Sequence, residues 1–124
     1  ENQVYNRVHF RLKNSWRSTR HLEFKWQGVP AFDESAVPLA HVLHTHYSTP
    51  KGFDFEGSER SGGSQLVNEF RSFALKRAES YRTKHVMVVL GDDFRWKGEK
   101  RCRSAYGAWE RLIAELDETN RAAK

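Results

Sequence analysis

Cysteine, proline and methionine are rare in this sequence, which has one cysteine, three prolines and one methionine among 124 residues. A single cysteine excludes a disulfide within the chain and leaves the cellular compartment open. No stretch approaches the roughly 18 consecutive apolar residues of a transmembrane helix, and no signal-peptide pattern stands at Glu1. We therefore expect a globular segment with no membrane segment.

Charge of one sign is not concentrated anywhere. The 21 Lys and Arg residues against 16 Asp and Glu residues give +5 at pH 7, without any run of five or more like charges. This even distribution permits a nucleic-acid surface but does not indicate one. The length suits one domain with a real core. Because the chain does not begin with Met, we expect it to be a piece of a longer protein.

The first half of the sequence predicts short strands and one helix. Apolar residues at Val8, Leu12 and Trp16 follow the i, i+4, i+8 spacing of a helix that ends near Arg20. Residues 22–26 alternate apolar and charged side chains, which is typical of a half-buried strand. A loop is predicted over 28–38 and another strand over 39–47.

The second half predicts two long helices. Residues 53–63 form a loop that Phe53 and Phe55 attach at one end, after which Ser64 caps the first helix and Ser104 the second. Each helix has an apolar face, made of Leu66, Val67, Phe70, Phe73, Ala74 and Tyr81 in the first and of Ala105, Trp109, Leu112, Ile113 and Leu116 in the second.

Between these helices lies the most informative stretch. Residues 86–90 are an apolar, mostly β-branched run that ends at Gly91, which predicts a strand buried on both faces of a parallel sheet. Asp92 and Asp93 follow directly, where α/β enzymes place a general acid or base. An acidic pair after a strand is also typical of a solvated turn or a helix cap, and this alternative stays open. The order of elements favours parallel pairing.

Other motifs are weaker. Alternation along a strand puts His44 and His46 on one face and His41 on the other, so we do not expect these three alone to form a zinc site. Cys102 lies between two arginines in a predicted polar loop, and we interpret it as a bystander. A glycine pair before Ser64 is a weak anion-binding signal. Trp96, an aromatic beside two carboxylates, is typical of a sugar-binding cleft.

The strongest motif, residues 90–96 (LGDDFRW), follows Tyr81, Arg82 and Thr83 and the apolar run. Together they resemble the retaining α-mannosidases of glycoside hydrolase family 38, the Golgi mannosidase II and lysosomal α-mannosidase group. Three more stretches agree in order. Residues 7–10 (RVHF) resemble the family's Arg-x-x-Tyr segment, 22–26 (LEFKW) its Leu-Glu-Phe-x-Trp strand, and 39–43 (LAHVL) its Phe-Thr-His strand.

The resemblance implies roles for four residues. Asp93 matches the family's proposed general acid/base, and Asp92 a supporting or substrate-contact position. Arg7 matches an arginine beside the nucleophilic aspartate, and Arg95 and residues 44–48 match regions that line the sugar cleft. A retaining glycosidase needs two carboxyl groups about 5 Å apart, and the acid needs burial or a like charge to raise its pKa.

The resemblance also implies what lies elsewhere. The nucleophile and the zinc ligands of the family are expected outside this chain, and the cysteines of Golgi members are absent from the loop after the histidine strand. We therefore expect an α/β, parallel-sheet fragment of a (β/α) barrel-like catalytic domain with flanking helices, in which residues 1–124 are one segment, incomplete and inactive by itself. A mannose-containing glycan and the remainder of the domain would be its partners, in the lumen of the secretory pathway (lysosome or Golgi).

Two other hypotheses remain. The chain could be a basic α/β binding module for nucleic acid or another acidic partner, with Arg and Lys contacting phosphates and exposed Trp stacking on bases. It could also be a scaffold fragment held by another chain, in which case the isolated piece would expose apolar helix faces.

Overall fold

The computed structural model describes residues 3–5, 7–26, 37–56, 62–83 and 85–123. Their helices and strands are β1 (Gln3–Tyr5), α1 (Phe10–Ser18), β2 (Glu23–Lys25), β3 (Leu39–Val42), α2 (Ser64–Ala78) and α3 (Glu99–Ala122). The chain divides into two compact units. The first consists of Glu1–Tyr47 with Lys76–Met87, and the second of Ser48–Leu75 with Val88–Lys124. Within these described ranges no helix is long and apolar enough to span a membrane.

The first unit contains a small mixed sheet in the order β1-β3-β2. Strand β1 is parallel to β3, with Gln3 opposite Ala40, and β2 is antiparallel to β3, with Glu23 opposite His41. The strand predicted at 22–26 is confirmed, while the strand predicted over 39–47 ends early, at Val42. The sheet supports the α/β class, but with one antiparallel pair it is not the purely parallel sheet that the sequence predicts.

Helix α1 is confirmed but buries a different face from the predicted one. Leu12 is 45% exposed, whereas Lys13 is buried and donates from Nζ to the carbonyl oxygen of Thr45 at 2.8 Å. Trp16 keeps its predicted role and meets the ring of Phe24 edge-on at 5.3 Å. The face differs because a long lysine side chain can bury its alkyl part when its ammonium reaches a carbonyl.

The core of the first unit is small and includes a residue predicted elsewhere. Leu22, Val42 and Tyr81 form it, and the partly buried side chains packed against it are Val8, Trp16 and Phe24. The sequence predicts Tyr81 on the apolar face of α2, but that helix ends at Ala78. The Tyr81 hydroxyl instead donates to the carbonyl oxygen of Val42 at 3.1 Å. Burial raises the pKa of Tyr81 to about 12, so the hydroxyl stays protonated and able to donate.

The second unit has a larger, aromatic core between α2 and α3. The buried side chains are Phe53, Phe55, Leu66, Val67, Ala108, Trp109 and Leu112. Phe53 and Phe55 attach the start of the predicted loop to this core, as expected, although residues 57–61 of that loop lie outside the described ranges. Most of the predicted loop over 28–38 lies outside them as well.

Helix α3 begins five residues before the predicted cap at Ser104. Its first residue is Glu99, after Gly98 at φ +94°, and Ser104 lies inside the helix. Glu99 accepts from Arg103 at 2.6 Å, an i, i+4 ion pair with the carboxylate in the first turn. This arrangement suits both the helix dipole and side-chain spacing, so it favours the earlier start.

The apolar run at 86–90 has no regular secondary structure and belongs to no sheet of the described residues. Met87 is 43% and Leu90 36% exposed, while Val88 packs against the core of the second unit. The described residues therefore do not confirm the predicted strand buried on both faces. Such a strand needs a hydrogen-bonded neighbour and a packed layer on each face, and the described part of the chain provides neither here.

Candidate active site

The acidic pair lies in a turn whose backbone is unusual. Gly91 has φ +124°, and two bulky residues, Phe94 and Trp96, have φ +60° and +61°. Side chains other than glycine rarely adopt this left-handed region because Cβ crowds the backbone. Each such residue costs on the order of 1–3 kcal/mol, and conformations of this kind are kept where surrounding contacts impose them. The turn at 91–96 must therefore be held by other parts of the second unit.

One restraint acts where the chain enters the turn. The backbone N–H of Thr49 donates to the carbonyl oxygen of Gly91 at 2.7 Å. The Thr49 hydroxyl donates to the same oxygen at 3.1 Å and accepts from the N–H of Gly91 at 2.6 Å. A hydroxyl can donate and accept at once, and a carbonyl oxygen has two lone pairs. A single threonine thus satisfies both backbone polar groups of Gly91, and we call this set of three bonds the Thr49–Gly91 clamp.

A second restraint acts where the chain leaves the turn. The guanidinium of Arg95 pairs with Asp54 at 2.7 Å and with Glu56 at 3.3 Å. Glu56 also accepts from the backbone N–H of Trp96 at 3.4 Å, and its side chain is only 6% exposed. A carboxylate so little hydrated needs compensating charge and donors, which Arg95 and the Trp96 amide supply.

Between these restraints lie the two aspartates, both of which are exposed. Asp92 accepts through Oδ1 from the backbone N–H of Asp93 at 2.7 Å, and its carbonyl oxygen accepts from the N–H of Arg95 at 3.2 Å. Asp93 is exposed. The sequence predicts burial or a like charge at the acid. The neighbouring Asp92 is a like charge, whereas burial of Asp93 is absent from this structure.

The structure thus brings three of the four predicted site residues into one turn. Asp92, Asp93 and Arg95 belong to it, and all three are in the second unit. Arg7 is exposed and belongs to the first unit. An open groove of about 750 Å³ in the second unit lies elsewhere, lined by residues such as Lys51, Phe53 and Asn68, and the acidic pair does not line it.

Sequence reasoning missed the residues that hold the turn. Asp54 and Glu56 alternate with Phe53 and Phe55, and a period of two places the acids opposite the buried rings. That alternation was a usable signal for two carboxylates on one face. No local pattern marks Thr49 as the partner of Gly91, since 42 residues separate them.

His41 and His44 lie in surroundings that do not make a metal centre. His41 Nδ1 lies 2.8 Å from Oε1 of Glu23, and the imidazole stacks on the ring of Tyr81 at 5.0 Å. Burial, followed by the nearby charges of Arg17, Arg77 and Lys13, lowers the pKa of His44 to about 4. Cations that disfavour a proton also disfavour a metal ion. Within the ranges that the structure describes, no three His, Cys, Asp or Glu side chains group as metal ligands.

Two weaker sequence signals find structural explanations. The N–H of Gly63, before α2, donates to Oε2 of Glu115 at 2.7 Å, so a carboxylate of the chain itself lies at this helix start. Cys102 lies in the first turns of α3, half-buried, and not in the polar loop that the sequence predicts.

Comparison with known proteins decides the family. The model of the glycosyl hydrolases family 38 N-terminal domain matches residues 1–120. The chain belongs to glycosyl hydrolase family 38. This match confirms the resemblance inferred from residues 90–96 and the three shorter motifs.

Relatives are α-mannosidases from several organisms. α-Mannosidase F of Dictyostelium discoideum is 32% identical over 115 residues, 88% of this chain and 11% of that protein. The α-mannosidase of Canavalia ensiformis is 28% identical over 105 residues, 75% of this chain and 11% of that protein. The lysosomal α-mannosidase of D. discoideum is 27% identical over 123 residues, 91% of this chain and 11% of that protein. The chain spans about a tenth of the length of these family 38 relatives.

Proposed function

We propose that the family 38 protein to which this chain contributes is a retaining, zinc-dependent α-mannosidase that hydrolyses terminal α-D-mannosyl residues of N-glycans. The observation that carries the proposal is the family match over residues 1–120 together with relatives named α-mannosidase. The substrate is a mannose-containing glycan. This chain by itself is expected to be inactive, because a retaining mechanism needs a second carboxylate as nucleophile and we place that residue outside these 124 residues.

Asp93 is the proposed general acid/base. As an acid it protonates the glycosidic oxygen while the nucleophile attacks the anomeric carbon, and as a base it then takes a proton from the water that hydrolyses the glycosyl-enzyme. Two observations support this role: the turn presents Asp93 at an exposed position, and Asp92 adjoins it. We infer that the remainder of the catalytic domain provides the burial that raises the pKa of a catalytic acid.

Asp92, Arg7 and Arg95 are the proposed substrate-binding residues. Arg95 already pairs with Asp54 and Glu56, so a sugar hydroxyl would contact it as a further acceptor. Asp92 accepts from the backbone N–H of Asp93, and a sugar hydroxyl would be a further donor, because a carboxylate has about four lone-pair sites. Arg7 is exposed in the first unit and is proposed to lie beside the nucleophile in the complete domain.

Zinc is proposed for the whole protein on the strength of its family alone. The histidines and acids of the described ranges do not fit the metal, since no group of three potential ligands occurs among them. Its ligands are expected outside this chain, and neither proton transfer assigned to Asp93 runs through it.

Two further proposals concern the complete protein. We propose the lumen of the secretory pathway, lysosome or Golgi, as its compartment, because one relative is named lysosomal α-mannosidase. We also propose that residues 86–90 pair with strands of the remaining domain in a parallel, barrel-like sheet. The exposure of Met87 and Leu90 supports this. No observation favours nucleic acid as a partner.

The test uses the chain extended on both sides to the length of its relatives. Asp93→Asn should lower kcat for an aryl α-mannoside by roughly 10²–10⁴-fold, the usual contribution of general acid/base catalysis. Asp117→Asn, an equivalent change in α3, serves as the control and should leave kcat unchanged. Full activity of a folded Asp93→Asn variant would overturn the assignment.

A further inference from the structure

We propose that Thr49 is a positioning residue for Asp93, and that its hydroxyl sets the direction of the catalytic carboxyl group through the backbone of Gly91. The inference rests on the proposed function of Asp93. Thr49 is not proposed to contact the substrate or the reacting atoms. It acts through the Thr49–Gly91 clamp, two residues before the carboxylate.

The geometry of the turn makes this clamp consequential. Gly91 has φ +124°, and rotation about this residue swings the whole acidic pair because the pair follows it directly. Asp92 ties its own Oδ1 to the N–H of Asp93, so the two aspartates move as one piece. Whatever fixes Gly91 therefore fixes the position of the Asp93 backbone, from which the carboxyl group projects.

Strain explains why two restraints are needed. Phe94 and Trp96 both occupy the left-handed region, and relaxation of the turn would relieve the backbone strain of each. Glu56 holds the exit of the turn through Arg95 and the Trp96 amide. Thr49 holds the entry, so loss of its hydroxyl would let the entry relax while the exit stayed fixed.

The chemistry of the hydroxyl is specific. It accepts from the N–H of Gly91 at 2.6 Å and donates to its carbonyl oxygen at 3.1 Å, a combination that among small side chains only Ser and Thr provide. Valine has the shape of threonine without this capacity. Thr49→Val would leave the backbone bond from Thr49 N–H to the Gly91 oxygen at 2.7 Å and remove the other two. Misplacement of a catalytic group by about 1 Å can cost roughly 10²-fold in rate.

The experiment compares Thr49→Val with Thr49→Ser in the chain extended to the length of its relatives. On an aryl α-mannoside with a poor leaving group, Thr49→Val should lower kcat about 10–10²-fold with KM unchanged. On a dinitrophenyl α-mannoside, whose leaving group needs little protonation, the loss in kcat/KM, which reports the glycosylation step, should be less than about threefold. Thr49→Ser should restore both rates. Thr119→Val, which removes another hydroxyl bonded to a backbone carbonyl in the same unit, is the control and should behave as wild type.

A double-mutant cycle separates positioning from general destabilisation. In the Asp93→Asn background, Thr49→Val should cause no further loss of kcat, because the group that it positions is already disabled. An equal fold-loss in both backgrounds would overturn the positioning role. In hydrogen exchange, the amide of Gly91 should exchange at least about tenfold faster in Thr49→Val than in Thr49→Ser. Equal protection would also overturn it. If Thr49→Val does not fold, Thr49→Ala removes the same hydroxyl without adding a methyl group.

Failure of this inference and failure of the proposed function give different results. If Asp93→Asn retains full activity, the acid/base assignment fails and the positioning role fails with it. If Asp93→Asn is impaired while Thr49→Val matches wild type on both substrates, the acid/base assignment stands and Thr49 is not a positioning residue.

Discussion

The two compact units are held together by different kinds of contact. In the described part of the chain, the residues that are buried and polar, Lys13, His41 and Ser80, all belong to the first unit. The second unit packs aromatic rings, with Trp109 meeting Phe55 at 5.3 Å and Phe70 at 5.4 Å. The first unit therefore depends more on buried hydrogen bonds and the second more on apolar area, although the paired side chain of Glu56 in the second unit is also only 6% exposed. The strained turn stands on the apolar unit, which suits a site that needs a rigid support.

The largest expected effect tests the apolar unit. Trp109→Ala should reduce the free energy of unfolding of the second unit by about 3–5 kcal/mol, the usual cost of removing a large buried ring. Urea unfolding followed by hydrogen exchange of α2 and α3 measures it. Tyr106→Ala, at a 57% exposed position of the same helix, is the control and should cost much less. Equal losses in the two variants would show that the aromatic core does not hold this unit.

The next effect concerns the turn. We expect a glycine-to-alanine substitution to lower stability in the turn and to raise it in α3. Gly91→Ala should destabilise the turn by about 1–3 kcal/mol, because φ +124° strains any L side chain. Gly107→Ala, inside α3, should stabilise by about 0.5–1 kcal/mol, since an added Cβ meets only ordinary contact with Arg111 at 3.5 Å. Thermal unfolding measures both changes. A neutral Gly91→Ala would contradict the strained geometry.

A smaller effect tests the polar contacts of the first unit. Tyr81→Phe removes the donor to the Val42 carbonyl and leaves a buried acceptor short of this partner, which should cost about 1 kcal/mol. Tyr106→Phe removes a hydroxyl from an exposed tyrosine and should cost nothing measurable. If both substitutions are neutral in urea unfolding, buried hydrogen bonds do not distinguish the first unit from the second.

The last effect, which solvent screening of a half-exposed side chain keeps small, is a pH dependence that belongs to the first unit. Burial and neighbouring cations lower the pKa of His44 from 6.5 to about 4. Between pH 6.5 and about 4, His44 is protonated in the unfolded chain and neutral in the folded chain. Stability from this group is therefore complete above pH 6.5, falls as the pH is lowered, and is lost near pH 4.

The measurement is urea unfolding of wild type and His44→Gln across roughly pH 4–7, the window between the two pKa values. The difference between the two should change with pH inside this window. A constant difference for His44→Gln would mean that His44 is not held neutral by its surroundings.

Local pattern was sufficient for part of this structure. The helical spacing of apolar residues in the segments around Trp16, Leu66 and Trp109 predicted three helices with apolar faces, and all three form. Alternation at 22–26 predicted a strand that is present as Glu23–Lys25. Both periods arise from the backbone geometry of a single segment, so they can be read without knowledge of its neighbours.

Local pattern did not predict the features that depend on contacts between distant segments. Lys13 replaced Leu12 in the buried face because its ammonium reaches Thr45, 32 residues away. The run at 86–90 has the composition of a buried strand, but a strand also needs a partner, and the described part of the chain supplies none.

The sequence by itself determined the kinds of local structure, the aromatic residues of the second core and, through residues 90–96, the family. Only the tertiary structure decided what holds the acidic pair: Thr49 at the entry of the turn, and Glu56 with Arg95 at its exit. The physical reason is that composition and periodicity follow from neighbours along the chain. The hydrogen bonds that oppose backbone strain join residues about 40 positions apart, and only folding brings those residues together.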